Sequence, residues 1–169
     1  MTEMQQTTQR AIEVRAVLGN QYRAALAMMR QAIENCPDSL WISSEGHRSP
    51  YWQIAFHGLF FTHFYLQLSH KHLTRWSKHR GQLQDLDTHS DEPYSKAEML
   101  EYVDLVAEMI DSCLAAMNLE SKDCGFPWYA QGKLEHQINN IRHLQHHAAQ
   151  LSDRLQSATG KGLDWRRFK

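Results

Sequence analysis

Asn140-Ile141-Arg142-His143-Leu144-Gln145-His146-His147 is the stretch that decides how this chain is read. It lies in a run from Lys133 to Thr159 that contains neither Gly nor Pro, so the pattern predicts a long helix there. Residues four apart on a helix share a face, which lets His143 and His147 project their imidazoles toward one point. Such a point suits a divalent transition metal, for which imidazole is a common ligand. A third histidine has to come from elsewhere. His57, in the middle of the only other strongly apolar His-bearing helix, is the leading candidate.

Outward from that stretch the chain reads as four helices. The first runs roughly from Glu3 to Asn35 and ends before Cys36-Pro37; Val14, Leu18, Tyr22, Leu26, Met29 and Ile33 step by three or four, the spacing of one buried face. Ser49-Pro50 reads as an N-cap followed by Pro at the first helical position, opening a second helix from about Pro50 to His70. Ser95-Lys96-Ala97-Glu98 is a capping-box pattern that opens a third, with Leu100, Val103, Ala107, Ile110, Leu114 and Met117 as its stripe. The fourth runs from about Lys133 to Ser157 with Leu134, Ile138, Ile141, Leu144, Ala148, Leu151 and Leu155 inward, closed by Gly160 and Gly162. No segment alternates with period two, so no strands are expected. Two long connections, His70 to Tyr94 and Glu120 to Gly132, complete an all-α chain that we read as one domain over residues 1–169, a four-helix bundle.

Composition excludes several functions. Lys and Arg are scattered and the formal net charge is −1, whereas a nucleic-acid binder should carry a basic stripe, so no nucleic-acid partner is expected. The longest apolar-rich stretch, Tyr51 to Leu68, is interrupted by Gln53, His57, His63 and Gln67 and reads as a buried helix rather than a membrane span. Cys36, Cys113 and Cys124 form no CxxC and cannot all pair, and residues 1–9 show no signal-peptide pattern, so a reduced cytoplasmic setting is expected. Eleven histidines are the outlier that needs an explanation.

At about 100° per residue, with Leu134 at zero, the apolar stripe of the fourth helix centres at roughly 300°. On that wheel His147 and His143 fall at about 220° and 180°, the edge of the buried face, with His136 and Asn140 stacked along the same edge and His146 turned away. On the second helix His57 shares a face with Ile54, Phe61, Phe64 and Leu68, and His63 lies about 240° round from it, so His57 is the expected inward histidine. Amid that aromatic surface it needs a polar partner. A metal shared with His143 and His147 supplies one; a backbone carbonyl is the competing partner, with the i, i+4 pair then incidental. Three neutral imidazoles leave an open position, the arrangement of catalytic sites.

The string His143-Leu144-Gln145-His146-His147-Ala148-Ala149-Gln150-Leu151 resembles the HxxHHxxQL signature in the last helix of DinB/YfiT-like proteins. Trp52 to Phe60, with His57 within it, resembles their second-helix segment, and Gly125-Phe126-Pro127-Trp128-Tyr129 is similar to the loop of one branch of that superfamily. The resemblance implies a bundle in up-down-down-up order, a homodimer, and a metal site on His57, His143 and His147. It also implies metal-dependent chemistry with low-molecular-weight thiols, as S-transferases or an isomerase, and no DNA binding.

The remaining candidates are weaker. Cys124 beside Gly125 is either a reactive loop thiol or an incidental one; Cys36 and Cys113 abut apolar faces and read as small core residues. Trp128 and Tyr129 either line a pocket mouth or close the end of the bundle. Arg154 is a candidate for an anionic substrate group, with a solvated Arg near a helix C-terminus as the alternative. His47, His70, His72, His79 and His89 fall in or beside loops, where solvation is expected. No phosphate loop, GxSxG nucleophile, CxxC knuckle or paired ExxH segment occurs, and no catalytic residue is assigned.

Two functions follow. One is a divalent-metal enzyme acting on a small molecule, a thiol-dependent S-transferase or a hydrolase. Nickel or zinc is the expected metal, with iron or copper as alternatives, and a low-molecular-weight thiol is the candidate cosubstrate. Thiol activation is favoured because no carboxylate base stands near the site in sequence, Glu135 facing away. The other is a non-catalytic dimeric, stress-related module with a vestigial site, for which Tyr22, Met28, Met29, Phe60 and Phe64 would supply the dimer face.

Overall fold

The structure is a computed structural model that describes residues 3–166, with side chains described at Gln5 and from Glu13 onward. The described residues form α1 (Glu3–Asn35), α2 (Asp38–Trp41), α3 (Tyr51–Leu66), a 3-10 turn at His70–His72, α4 (Lys96–Ala116) and α5 (Lys133–Thr159), and no strand. No described helix is long and apolar enough to cross a membrane.

Each boundary has a local cause. α1 stops at Asn35, before Cys36 and Pro37. α2 was not expected, because four residues are too few to show a period; Trp41 holds it, buried, with its indole N–H donating to Tyr94 O at 2.7 Å. At the start of α3 Pro50, not Ser49, occupies the N-cap position, and the Ser49 hydroxyl donates instead to Leu86 O at 3.0 Å. α3 also ends four residues before the expected His70. The Gln67 side chain grips Thr74 twice, accepting from its N–H at 2.7 Å and donating to its carbonyl at 3.2 Å, which fixes a turn there. At α4 the expected capping box is present: Ser95 Oγ accepts from Glu98 N, and Glu98 Oε2 accepts from Ser95 N at 2.8 Å. α5 closes on Gly160 in the left-handed region, φ 73°, which glycine adopts without a steric penalty.

α1 packs against α4 and α5, and α3 packs against the same two helices, a pattern compatible with an all-α bundle. Along α1 and α4 the contacts run in opposite order: Arg15 donates to Leu114 O at 3.0 Å, Arg23 pairs with Asp111, Arg30 with Asp104, and Lys96 donates to Cys36 O at 2.8 Å. Along α1 and α5 they rise together, Tyr22 bonding Gln137 at 2.8 Å and Met28 facing Gln145. Along α3 and α5 they run opposite again, from Tyr51 and Leu151 at one end to Tyr65 and Gln137 at the other.

α3 is buried around nearly its whole circumference, as its continuous apolar sequence requires. Two expectations fail for that reason. His63 is not turned away from the core; it is more deeply buried than His57, with Nδ1 3.0 Å from the Tyr102 hydroxyl. The suggested dimer face fails too, because Tyr22, Met28, Met29 and Phe60 are buried inside the chain itself. On α5 the buried residues are Lys133, His136, Gln137, Asn140, Leu144, His147, Ala148, Leu151, Arg154 and Leu155, while Ile138 is 47% exposed. The buried sector is thus rotated by roughly 40° from the expected stripe. It takes in the polar edge and leaves an apolar one outside.

Candidate metal centre

α3 brings His57, and α5 brings His143 and His147, to one point. The His143 Nε2 atom lies 3.2 Å from His57 Nε2 and 3.1 Å from His147 Nε2, and ligand atoms of all three fall within 4.8 Å of one another. Gly58 permits the close approach of the two helices: a Cβ there would stand 3.2 Å from His147 Cβ and 3.0 Å from Met29 Cε.

Two of the rings are oriented from behind. His57 Nδ1 donates to the carbonyl of Gln84 at 2.7 Å, and His147 Nδ1 donates to Gln150 Oε1 at 2.7 Å. A proton held on Nδ1 leaves Nε2 with its lone pair directed at the common point. The two readings of His57, carbonyl partner or metal ligand, are therefore compatible, one on each ring nitrogen. His143 Nδ1 is buried with no partner among the described residues.

Electrostatics keep the rings neutral. Burial, followed by the charges of neighbouring histidines, lowers the His143 imidazole to about 4 and the His147 imidazole to about 3. Burial also lowers His57, with Gln84 and Asp85 opposing it. Neutral imidazole is the form that binds metal, so no proton has to be displaced at neutral pH. The spacing also fits. At metal–nitrogen distances of about 2.0–2.1 Å, cis nitrogens stand roughly 2.9 Å apart in an octahedron and roughly 3.3 Å apart in a tetrahedron. The observed 3.1 and 3.2 Å lie between these values.

No protein-family model, curated protein or solved structure matches the chain.

The group is approached from two sides. A cleft of about 890 Å³ reaches His143 past Tyr65, Tyr129, Asn140 and His146. A smaller one, about 400 Å³, reaches His57 past Phe61, Gln84 and Asp85. Phe61 packs on His57 and His143, ring centroids 4.8 and 5.6 Å away.

The other candidates fall elsewhere. Tyr129 lines the larger cleft, whereas Trp128 stacks on Phe64, half-exposed, at the end of the helices; each of the two readings holds for one residue. Cys124 is fully buried, its Sγ near the carbonyls of Phe126 and Tyr129, so it is no exposed nucleophile. Cys36 is buried and Cys113 partly so, both as free thiols. Arg154 is neither solvated nor in either cleft beside the histidines. It is buried beneath the turn before α3, donating to Ser49 O at 3.0 Å and Ser43 O at 2.7 Å over the Tyr51 ring. Of the loop histidines, His47, His72 and His89 are exposed, but His79 packs on Phe56 and Phe60, and His70 donates to Gly125 O at 2.9 Å. His136, on the same edge of α5, is fully buried between Phe126 and Tyr65 and takes no part in the group.

Sequence reading missed Gln84, Asp85 and Gln150. Gln84 acts through its backbone carbonyl, which leaves no side-chain signal. Asp85 arrives on a long connection. Gln150, three residues after His147 on the same helix, was within reach of the i, i+3 rule.

Proposed function

We propose that the protein is a divalent-metal-dependent enzyme acting on a small molecule, with Nε2 of His57, His143 and His147 as the protein ligands. The observation that carries this reading is the convergence of three neutral Nε2 atoms at 3.1–3.2 Å, two of them oriented by hydrogen bonds from behind. A divalent ion held there supplies Lewis acidity that lowers the pKa of a water or thiol beside it. The chain's own residues do the rest. Gln84 and Gln150 hold two imidazoles in the tautomer that faces the centre, and Phe61 packs against one side of it. Tyr65, Tyr129 and Asn140 wall the larger approach.

S-transfer from a low-molecular-weight thiol is the first reading. Hydrolysis is the second, favoured by Asp85, a carboxylate on the smaller approach beside His57. Nickel and zinc are the first metals to test, then iron and copper, since three imidazoles accept all four. We further assign the chain to the DinB/YfiT-like superfamily with an up-down-down-up bundle. The three-histidine pattern and the order of cross-helix contacts between α1, α3, α4 and α5 support that reading.

Metal content by mass spectrometry on untagged protein tests the centre. About one equivalent in the wild type, lost in His143→Ala, supports it and justifies pairing thiols with electrophiles as substrates. Full metal content in His57→Ala refutes the three-histidine assignment. A wild type that takes up neither zinc nor nickel points to a non-catalytic module.

A further inference from the structure

Two clefts meet on the α1–α5 side of the three-histidine group. Beside the 890 Å³ cleft lies a groove of about 680 Å³ walled by Val14, Val17, Leu18, Leu134, Ile138 and Ile141. Gln21, Ile141 and Arg142 belong to both, so the two form one trough, apolar at one end and polar at the other. Its apolar end is open: Val17 is 59% and Ile138 47% exposed. A contiguous apolar surface of this kind marks a binding site more often than a single exposed residue does.

Charge along the trough is one-sided. No Asp or Glu lines the larger cleft, while Arg142, His146 and Arg166 do; Glu13 stands only at the far end of the groove. Arg142, at the junction, has no hydrogen-bond or ion-pair partner among the described residues. An unpaired guanidinium is suited to a planar anion such as a carboxylate. From Arg142 back to Leu134 is eight residues of α5, or about 12 Å at the helical rise, the length of an extended chain of about nine or ten carbons.

We propose that this trough binds an anionic amphiphile, a straight-chain carboxylate, with its head between Arg142 and His143 and its alkyl chain along Val17 and Ile138. The head's proximity to the histidines rests on the metal-centre reading; the trough itself does not. A concave, lopsidedly charged channel matches such a ligand better than it matches a second copy of the chain, which would need a flatter, self-complementary face.

The test is calorimetric titration of the full chain, zinc-treated and chelator-treated, with hexanoate, octanoate and decanoate below their micellar concentrations. Affinity should tighten about two- to fourfold per added methylene. Ile138→Lys, at an exposed position, should abolish that gain, so that octanoate and decanoate bind the variant no more tightly than hexanoate does. Arg142→Gln should weaken all three ligands by about tenfold. A flat chain-length series, or decanoate binding unchanged in Ile138→Lys, overturns the proposal. So does a sedimentation experiment in which the wild type is a dimer that Ile138→Lys dissociates and decanoate binds neither form, since the groove's occupant is then a second copy. Metal content is measured on the same samples. Chain-length dependence in a zinc-treated sample that has taken up no metal removes the metal reading and leaves the amphiphile site standing.

Discussion

Replacing His136 by Phe should stabilise the protein in mild acid and leave its metal content alone. His136 has no exposed surface, stacks on Phe126 with centroids 4.8 Å apart, and its Nε2 has no hydrogen-bond partner, so a phenyl ring fits the same cage and gives up only the long 3.4 Å bond that Nδ1 accepts from Gln137 Nε2, a loss that is the same at every pH above about 4. Burial, then the neighbouring Lys133 charge, lowers its imidazole from 6.5 to about 4 in the folded chain. Between those two values the unfolded chain binds the proton and the folded chain does not. His136 therefore costs no stability above about pH 6.5, and an increasing amount as the pH falls toward 4. One unit of pKa difference corresponds to about 1.4 kcal/mol, so at pH 5 the imidazole costs roughly 2 kcal/mol that a phenyl ring does not. Urea unfolding of chelator-treated wild type and His136→Phe at pH 7.5, 6 and 5 measures this directly. The two stability curves should diverge below pH 6.5 by about 1.4 kcal/mol per pH unit, with the variant above the wild type. Curves that stay parallel through that window would show that His136 is hydrated or charged in the folded state and would refute the burial argument.

Saturating zinc should raise the stability of the wild type, by about 2.7 kcal/mol at a hundredfold excess over its dissociation constant, and should not move His143→Ala; differential scanning calorimetry with and without zinc reads this. Gln150→Leu removes the acceptor that orients His147, and competition with a chromogenic chelator should show metal affinity about 10- to 100-fold weaker with the helix content intact. Gly58→Ala presses a methyl against His147 Cβ and should cost about 1–3 kcal/mol in urea titration while also weakening metal binding; a variant as stable as the wild type would mean that α3 and α5 are not held as close as described. Arg154→Met leaves the carbonyls of Ser43 and Ser49 unpaired and should cost about 2–4 kcal/mol without altering metal stoichiometry, a loss of metal being the result that would place Arg154 in the site after all.

The helices were legible where they are long and striped. The run without Gly or Pro from Lys133 to Thr159 is α5 to within two residues of its expected end, and the Ser95–Glu98 box opens α4 as read. His57, His143 and His147 were also legible, because i, i+4 spacing and one inward helix are local properties. What failed depended on tertiary partners. The wheel for α5 weighted Ile138 and Ile141 as core, but Lys133, His136, Gln137, Asn140 and Arg154 take the buried sector by bonding to carbonyls, side chains and rings from other parts of the fold. A helix such as α3, apolar on every side, offers no stripe to rank His57 against His63. Gln84 was invisible because its contribution to the site is a carbonyl that any residue carries.

The dependence of α3 on α5 has a consequence for biosynthesis. α3 is among the most apolar segments of the chain, and one of its two principal neighbours is the last helix described, whose contacts with it reach back about a hundred residues, from Leu151 to Tyr51. A ribosome that has released α3 still has to translate more than sixty residues before Lys133 emerges, leaving a sticky cylinder that invites chaperones or wrong partners in the interval. The three imidazoles cannot meet until that wait is over. A metal ion held by all three could therefore enter only after α5 has been made, and its binding energy would add to the docking of α5 on α3.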